Sequence, residues 1–136
     1  RAIIDQIVRS PELARACGVT PETDFADIYR RFGERVKSGV PEALEVFEVA
    51  AGHLAAAVVD LVTTLDLDRV TLAGPGFAEL GEEYRRTIDQ RLTESAFVRD
   101  VHPTTVKLAA GGVDASALGA ASVVLHRYLT PHHSAP

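Results

Sequence analysis

The chain has 136 residues, 46% of them hydrophobic, which is typical of one globular domain with its own core. Its formal net charge of −5 argues against nucleic-acid binding by this segment, because an acidic surface gains nothing from the counterion release that drives such binding. Cys17 is the only cysteine, which excludes an intramolecular disulfide and fits a reducing, cytoplasmic setting.

Membrane and metal sites are also not expected. The most apolar stretch, residues 54–65, falls short of the ~20 residues that span a bilayer; His53 precedes it and Asp60 interrupts it. Cysteine and histidine show no spacing typical of a metal site.

Apolar residues at helical spacing predict three helices in the first forty residues. They cover 2–9, 11–17, and a third segment from the N-cap Thr23 to Ser38-Gly39. The third helix is expected to bury four residues: Phe25, Ile28, Phe32 and Val36.

The longest predicted helix begins at Pro41 and runs to about residue 65. Its apolar residues, spaced alternately by three and four, form one continuous seam: Leu44, Phe47, Ala51, Leu54, Val58, Leu61 and Leu65. Many small residues broaden this seam. We expect the helix to be central and largely buried, or to face a partner chain, so self-association is predicted.

The second half of the chain alternates strands and helices. A β-branched run at 69–73 and a second at 104–108 predict strands, separated by a helix over roughly 78–94. That helix is expected to bury four residues: Leu80, Tyr84, Ile88 and Leu92. Asp114 is predicted to cap a last helix that ends near 128, and residues 131–136 are predicted to form a flexible tail.

Two strands do not make an independent sheet. The chain also starts with Arg1 and contains no methionine. We therefore expect it to be a piece of a longer protein whose remaining strands lie upstream. The predicted fold class is α/β, rich in helices.

Two glycine-containing motifs follow the two predicted strands. The first reads Val70-Thr71-Leu72-Ala73-Gly74-Pro75-Gly76-Phe77-Ala78-Glu79-Leu80-Gly81. The second reads Gly112-Val113-Asp114-Ala115, followed by Gly119-Ala120-Ala121. In their order and spacing, these motifs resemble the C-terminal half of the ROK family (repressor, open reading frame, kinase). The first departs from the family pattern at Pro75, where the family has the middle one of three glycines.

The resemblance implies an actin-like, ribonuclease-H-like fold of two lobes, with residues 1–130 in the C-terminal lobe. Family members are bacterial sugar kinases or sugar-responsive transcription regulators, usually dimers or tetramers. Their phosphate-binding motif, catalytic aspartate and zinc motif lie upstream of the matched region. No catalytic residue and no metal ligand is therefore assigned here.

The resemblance also implies a nucleotide or effector cleft bordered by five residues: Gly74, Pro75, Gly76, Gly112 and Asp114. Simpler explanations exist for both motifs. The first is also typical of a plain strand-to-helix turn, in which Pro75 removes one N–H donor. Asp114 is explained as an N-cap and Gly112 as a turn residue.

The preferred functional hypothesis is the C-terminal effector-sensing and oligomerisation part of a sugar-responsive regulator. Its partners would be a small sugar in the intact protein and DNA, the latter only through a separate N-terminal module. The alternative is the C-terminal half of a sugar kinase that uses ATP and Mg²⁺; in the regulator, this segment holds no cofactor. A third hypothesis gives the segment only a scaffold and dimerisation role.

Overall fold

The computed structural model describes residues 2–95, 104–110 and 114–129. Within these ranges the chain forms six α-helices, two strands and a short 3-10 turn. In chain order they are α1 (Ala2–Arg9), α2 (Pro11–Ala16), α3 (Phe25–Lys37), α4 (Pro41–Leu65), β1 (Arg69–Leu72), the 3-10 turn (Pro75–Phe77), α5 (Gly81–Glu94), β2 (Thr105–Leu108) and α6 (Ala115–Leu129). The predicted order of elements and the helix-rich α/β character are confirmed.

The start of α3 lies later than the sequence predicts. Asp24, not Thr23, is the N-cap, and its carboxylate accepts a hydrogen bond from the Asp27 N–H at 2.8 Å. Thr23 is engaged in the preceding turn, where its hydroxyl accepts the Thr20 N–H at 2.9 Å. A carboxylate at this position is favoured by the helix dipole as well as by the hydrogen bond.

Helix α3 buries three of its four predicted core residues: Ile28, Phe32 and Val36. Phe25 is the exception, with 67% of its surface exposed. It is the first residue of α3, and the buried stripe begins only with Ile28.

Helix α4 is the central element, but its buried face differs from the predicted seam. The core takes six residues from it, mostly spaced by four: Ala43, Phe47, Ala51, Ala55, Val58 and Val62. Leu61 and Leu65, which the seam included, are 53% and 59% exposed. The predicted seam followed a mean spacing of three and a half residues. In a straight helix such a seam rotates by about 20° per heptad around the helix axis, so the last residues of the predicted seam no longer face the core.

Helix α4 is also long and apolar enough to cross a membrane, judged by length and composition alone. Core helices of soluble proteins pass the same test. The buried face just described packs within this chain, so the length and composition of α4 do not by themselves indicate a membrane span.

Strands β1 and β2 form a parallel pair, with Arg69 opposite Thr105 and Leu72 opposite Leu108. Since side chains alternate between faces, one face is apolar and carries four residues: Val70, Leu72, Val106 and Leu108. Helix α5 packs against β2, and a methyl group on Gly81 would lie 3.0 Å from a Leu108 methyl. The opposite face carries polar, exposed residues: Arg69, Thr71, Thr105 and Lys107.

Helix α5 connects the two strands and packs along α4. All four residues predicted to face inward are buried: Leu80, Tyr84, Ile88 and Leu92. The α-helix begins at Gly81 rather than near residue 78, because the 3-10 turn and a short link occupy the positions before it.

Helix α6 has an exposed central segment. Residues 117–125 are all exposed, including Leu118 at 55% and Leu125 at 57%. From Ala115 to Leu125 the helix has no charged residue. A helix that is apolar all round is normally a buried one, so α6 presents apolar surface that the described residues of this chain do not cover. The predicted tail, 131–136, lies outside the described residues.

Candidate functional site

The first glycine motif forms a tight turn at the carboxyl end of β1. Gly74 has φ 105° and ψ 174°, a conformation that only glycine adopts at low cost. The 3-10 turn then closes with two hydrogen bonds. The Phe77 N–H donates to the Gly74 carbonyl at 3.1 Å, and the Ala78 N–H donates to the Pro75 carbonyl at 3.2 Å.

Pro75 is compatible with this turn. It occupies the first position of the 3-10 turn, where a missing N–H is harmless and a fixed φ is preorganised. The positive φ falls on Gly74, and Gly76 is not among the positive-φ glycines. The backbone conformation therefore requires glycine at position 74. It does not require glycine at position 75 or 76.

The turn is held from two neighbouring helices. The Tyr29 hydroxyl of α3 donates to the Gly76 carbonyl at 2.5 Å. The Phe77 ring meets the Tyr84 ring of α5 edge-on, with centroids 5.5 Å apart. Tyr84 in turn packs against Phe47 of α4 at 4.9 Å, also edge-on. The sequence alone does not indicate a role for Tyr29, because nothing local marks a tyrosine whose partner lies 47 residues away.

A small pocket of about 200 Å³ opens beside the turn. It is lined by apolar side chains and backbone: Leu72, Ala73, Gly74, Phe77, Ala78, Leu108 and Ala109. It lies where β1 and β2 end together, since the Ala109 N–H donates to the Leu72 carbonyl at 2.9 Å. Crevices at the carboxyl ends of parallel strands are the usual ligand sites of α/β sheets. Of the predicted cleft residues, Gly74 lines this pocket, whereas Pro75 and Gly76 are not among its lining residues.

The second motif follows the neighbouring strand. Gly112 lies outside the described residues. Asp114 is exposed and directly precedes α6; its roles as a cap and as a cleft residue both stay predictions. The parallel pairing does bring the carboxyl ends of the two strands to the same edge of the sheet, because Leu72 and Leu108 are register partners.

The ionisable groups near the turn are tyrosines. Burial raises the pKa of Tyr29 well above its ordinary value of 10.0, and the neighbouring Tyr84 adds to the effect. Burial also raises the pKa of Tyr84. Both hydroxyls therefore stay neutral donors at physiological pH. No group of three or more His, Cys, Asp or Glu side chains that could hold a metal ion occurs in the described parts of the chain.

Comparison with known proteins agrees with the motifs. The family model described as "ROK family" matches residues 18–127, which is most of the chain and includes both motifs. No curated protein and no solved structure matches the chain. The match covers α3 to α5, most of α6 and the pocket between the strand ends, and on this basis the chain belongs to the ROK family.

Proposed function

We propose that this chain is the C-terminal effector-sensing and oligomerisation part of a sugar-responsive ROK-type transcription regulator. Its fold would be the C-terminal lobe of an actin-like, ribonuclease-H-like pair of lobes. Sugar bound between the lobes changes their closure, and with it the geometry of a separate N-terminal DNA-binding module. Such a shift requires the sugar to bind the two closure states with different affinity.

The observation that carries this proposal is the shortage of N–H donors at the turn. Of the five backbone positions from Gly74 to Ala78, Pro75 has no N–H and the N–H groups of Phe77 and Ala78 are used inside the turn, which leaves those of Gly74 and Gly76 for a ligand. Phosphate sites at such turns depend on several free backbone N–H groups directed at the anion. Among the residues that the structure describes, none that lines the pocket beside the turn is charged. These features favour a site that senses a sugar over a site that binds the phosphate groups of a nucleotide at this edge of the sheet.

The second candidate function is the C-terminal half of an ATP-dependent sugar kinase. One observation favours it: the pocket is small, apolar and adjacent to a backbone with no side chain at Gly74. Such a pocket suits a flat nucleobase as well as it suits a sugar face. ATP and Mg²⁺ would then be required, and the phosphoryl-transfer residues would come from upstream of this segment.

The two functions are separated by an experiment on the intact protein. Glucose, mannose and N-acetylglucosamine are titrated by calorimetry, and each is then incubated with ATP and Mg²⁺ while ADP release is followed. The regulator hypothesis predicts sugar binding without ADP release above the background without sugar. Sugar-dependent ADP release at catalytic rates would overturn it in favour of the kinase.

Self-association is the remaining part of the proposal. The uncharged surface of α6 from Ala115 to Leu125 resembles the centre of a permanent interface, from which charged residues are depleted. We propose a second copy of the chain as the occupant. Leu125→Glu should therefore lower the mass of the intact protein measured by light scattering, while circular dichroism stays unchanged. An unchanged mass would refute this interface.

A further inference from the structure

We propose that Tyr29 is a positioning residue for the turn formed by residues 74–77, so that ligand affinity depends on a side chain outside the pocket lining. The inference rests on the proposed function in one respect: it takes the pocket beside Gly74 to be the ligand site. Its structural half, that Tyr29 fixes the turn, stands on the geometry alone.

Three residues of α3 contact the turn and the short link that comes after it. Tyr29, Gly33 and Lys37 are spaced by four and so share one face of the helix. The Tyr29 hydroxyl bonds to the Gly76 carbonyl at 2.5 Å, and the Lys37 ammonium lies 3.9 Å from a Glu79 carboxylate oxygen. Between them, Gly33 lets the backbone approach so closely that a methyl group there would lie 2.8 Å from Cβ of Glu79. Helix α3 therefore supports the segment from Gly76 to Glu79.

The turn needs this support because little else holds its middle. Gly74 and Gly76 have no side chains, and the two bonds that close the turn are its own short-range ones. Glycine enters the backbone conformation of Gly74 at low cost and leaves it at low cost, because it has no Cβ to restrict its other conformations. The Phe77 ring packs against the Tyr84 ring. Tyr29 holds the preceding residue, because its hydroxyl donates to the Gly76 carbonyl.

Displacement at Gly76 would reach the pocket directly. Its neighbours Gly74 and Phe77 both line the pocket, although Gly76 itself does not. The donor is also constant with pH, because burial raises the pKa of Tyr29 and keeps the hydroxyl protonated. Loss of the hydroxyl should therefore loosen the turn and weaken binding.

The test uses Tyr29→Phe in the intact protein, which removes the hydroxyl and keeps the ring. Ser38→Ala is the matched control, because it removes another hydroxyl of α3 that does not contact the turn. The Ser38 hydroxyl lies at the C-cap of α3 and donates to the Glu34 carbonyl, with 2.8 Å between the two oxygens. Hydrogen exchange is measured on the peptide covering 74–80. The loss of one hydrogen bond predicts exchange about 2- to 10-fold faster in Tyr29→Phe, with the control unchanged and the Ala109 amide in the sheet unaffected.

Binding is measured on the same variants by calorimetry with ATP, glucose and N-acetylglucosamine as probes. Affinity for the probe that binds should fall by a similar factor in Tyr29→Phe and stay constant in Ser38→Ala. Unchanged exchange at 74–80 overturns the proposal, as does faster exchange with full affinity. If wild type binds none of the probes, the proposed function fails, and the exchange result alone decides whether Tyr29 positions the turn.

Discussion

Gly74→Ala is the substitution that most directly tests the geometry of the turn. At φ 105° and ψ 174°, any residue with a Cβ is strained, and residues held in such sparsely populated regions cost of order 1–3 kcal/mol. A Cβ on Gly74 would meet no atom within 4 Å. The whole penalty therefore comes from the backbone, with no steric clash to add to it.

Gly76→Ala is its matched control. A Cβ added to Gly76 would also have open space around it, but the backbone of Gly76 does not have positive φ. Alanine at a compatible site stabilises by about 0.4–1 kcal/mol through the unfolded chain. The two substitutions, two residues apart and identical in chemistry, should thus change stability in opposite directions.

The assay is urea unfolding followed by circular dichroism, with thermal unfolding alongside. Gly74→Ala should lower the unfolding free energy by about 1–3 kcal/mol. At this chain length each kcal/mol corresponds to roughly 3 to 5 °C in Tm. Equal effects at the two positions, or a neutral Gly74→Ala, would show that Gly74 does not have positive φ and would remove the basis for the turn.

Three further predictions concern the core and its single thiol. Val58→Asp should unfold the chain, because it buries an unpaired charge, whereas Leu61→Asp on the exposed side of α4 should keep the circular dichroism spectrum; unfolding by Leu61→Asp as well would restore the seam predicted from the sequence. Gly33→Ala should lower the urea unfolding free energy by about 1–2 kcal/mol, since overpacking against Glu79 (about 1–3 kcal/mol) exceeds the gain in helix propensity (up to about 1 kcal/mol); a stabilised variant would contradict the close approach. Burial raises the pKa of the Cys17 thiol above its ordinary value of 9.0, so its stabilising contribution is complete below pH 9 and is lost as the pH rises further; a thiol reagent at pH 8 should react slowly until urea is added, and rapid labelling of the native chain would refute this.

The sequence predicts the buried face of α5 better than it predicts that of α4. In α5 the buried residues follow one regular spacing of four, with Tyr84 and Ile88 at its centre, and the prediction is confirmed in full. In α4 apolar and small residues occur on most faces, so several stripes compete. Small alanines such as Ala51 and Ala55 are buried in preference to the larger Leu61, so side-chain size does not decide which stripe of α4 faces the core.

At the candidate site, the sequence locates the turn but not what holds it. Glycine spacing after a strand is a local signal of a turn, but it does not distinguish Gly74, which has positive φ, from Gly76, which does not. The Tyr29 contact depends on two segments brought together by tertiary packing. The same limit applies to α6: its sequence marks an apolar helix, but the surface that would cover it is not supplied by the described residues.

Pro75 links the turn to the proposed mechanism. Proline at this position narrows the conformations open to the unbound turn, and the contacts of Gly76 and Phe77 narrow them further. A turn preorganised in this way changes little when ligand arrives, so it is poorly suited to signal by its own rearrangement. Under the proposed function the signal must instead come from movement of one lobe against the other, with the Gly74 turn as a fixed wall of the site. A ligand that reaches this wall only in the closed state would then bind that state more tightly, as a population shift demands.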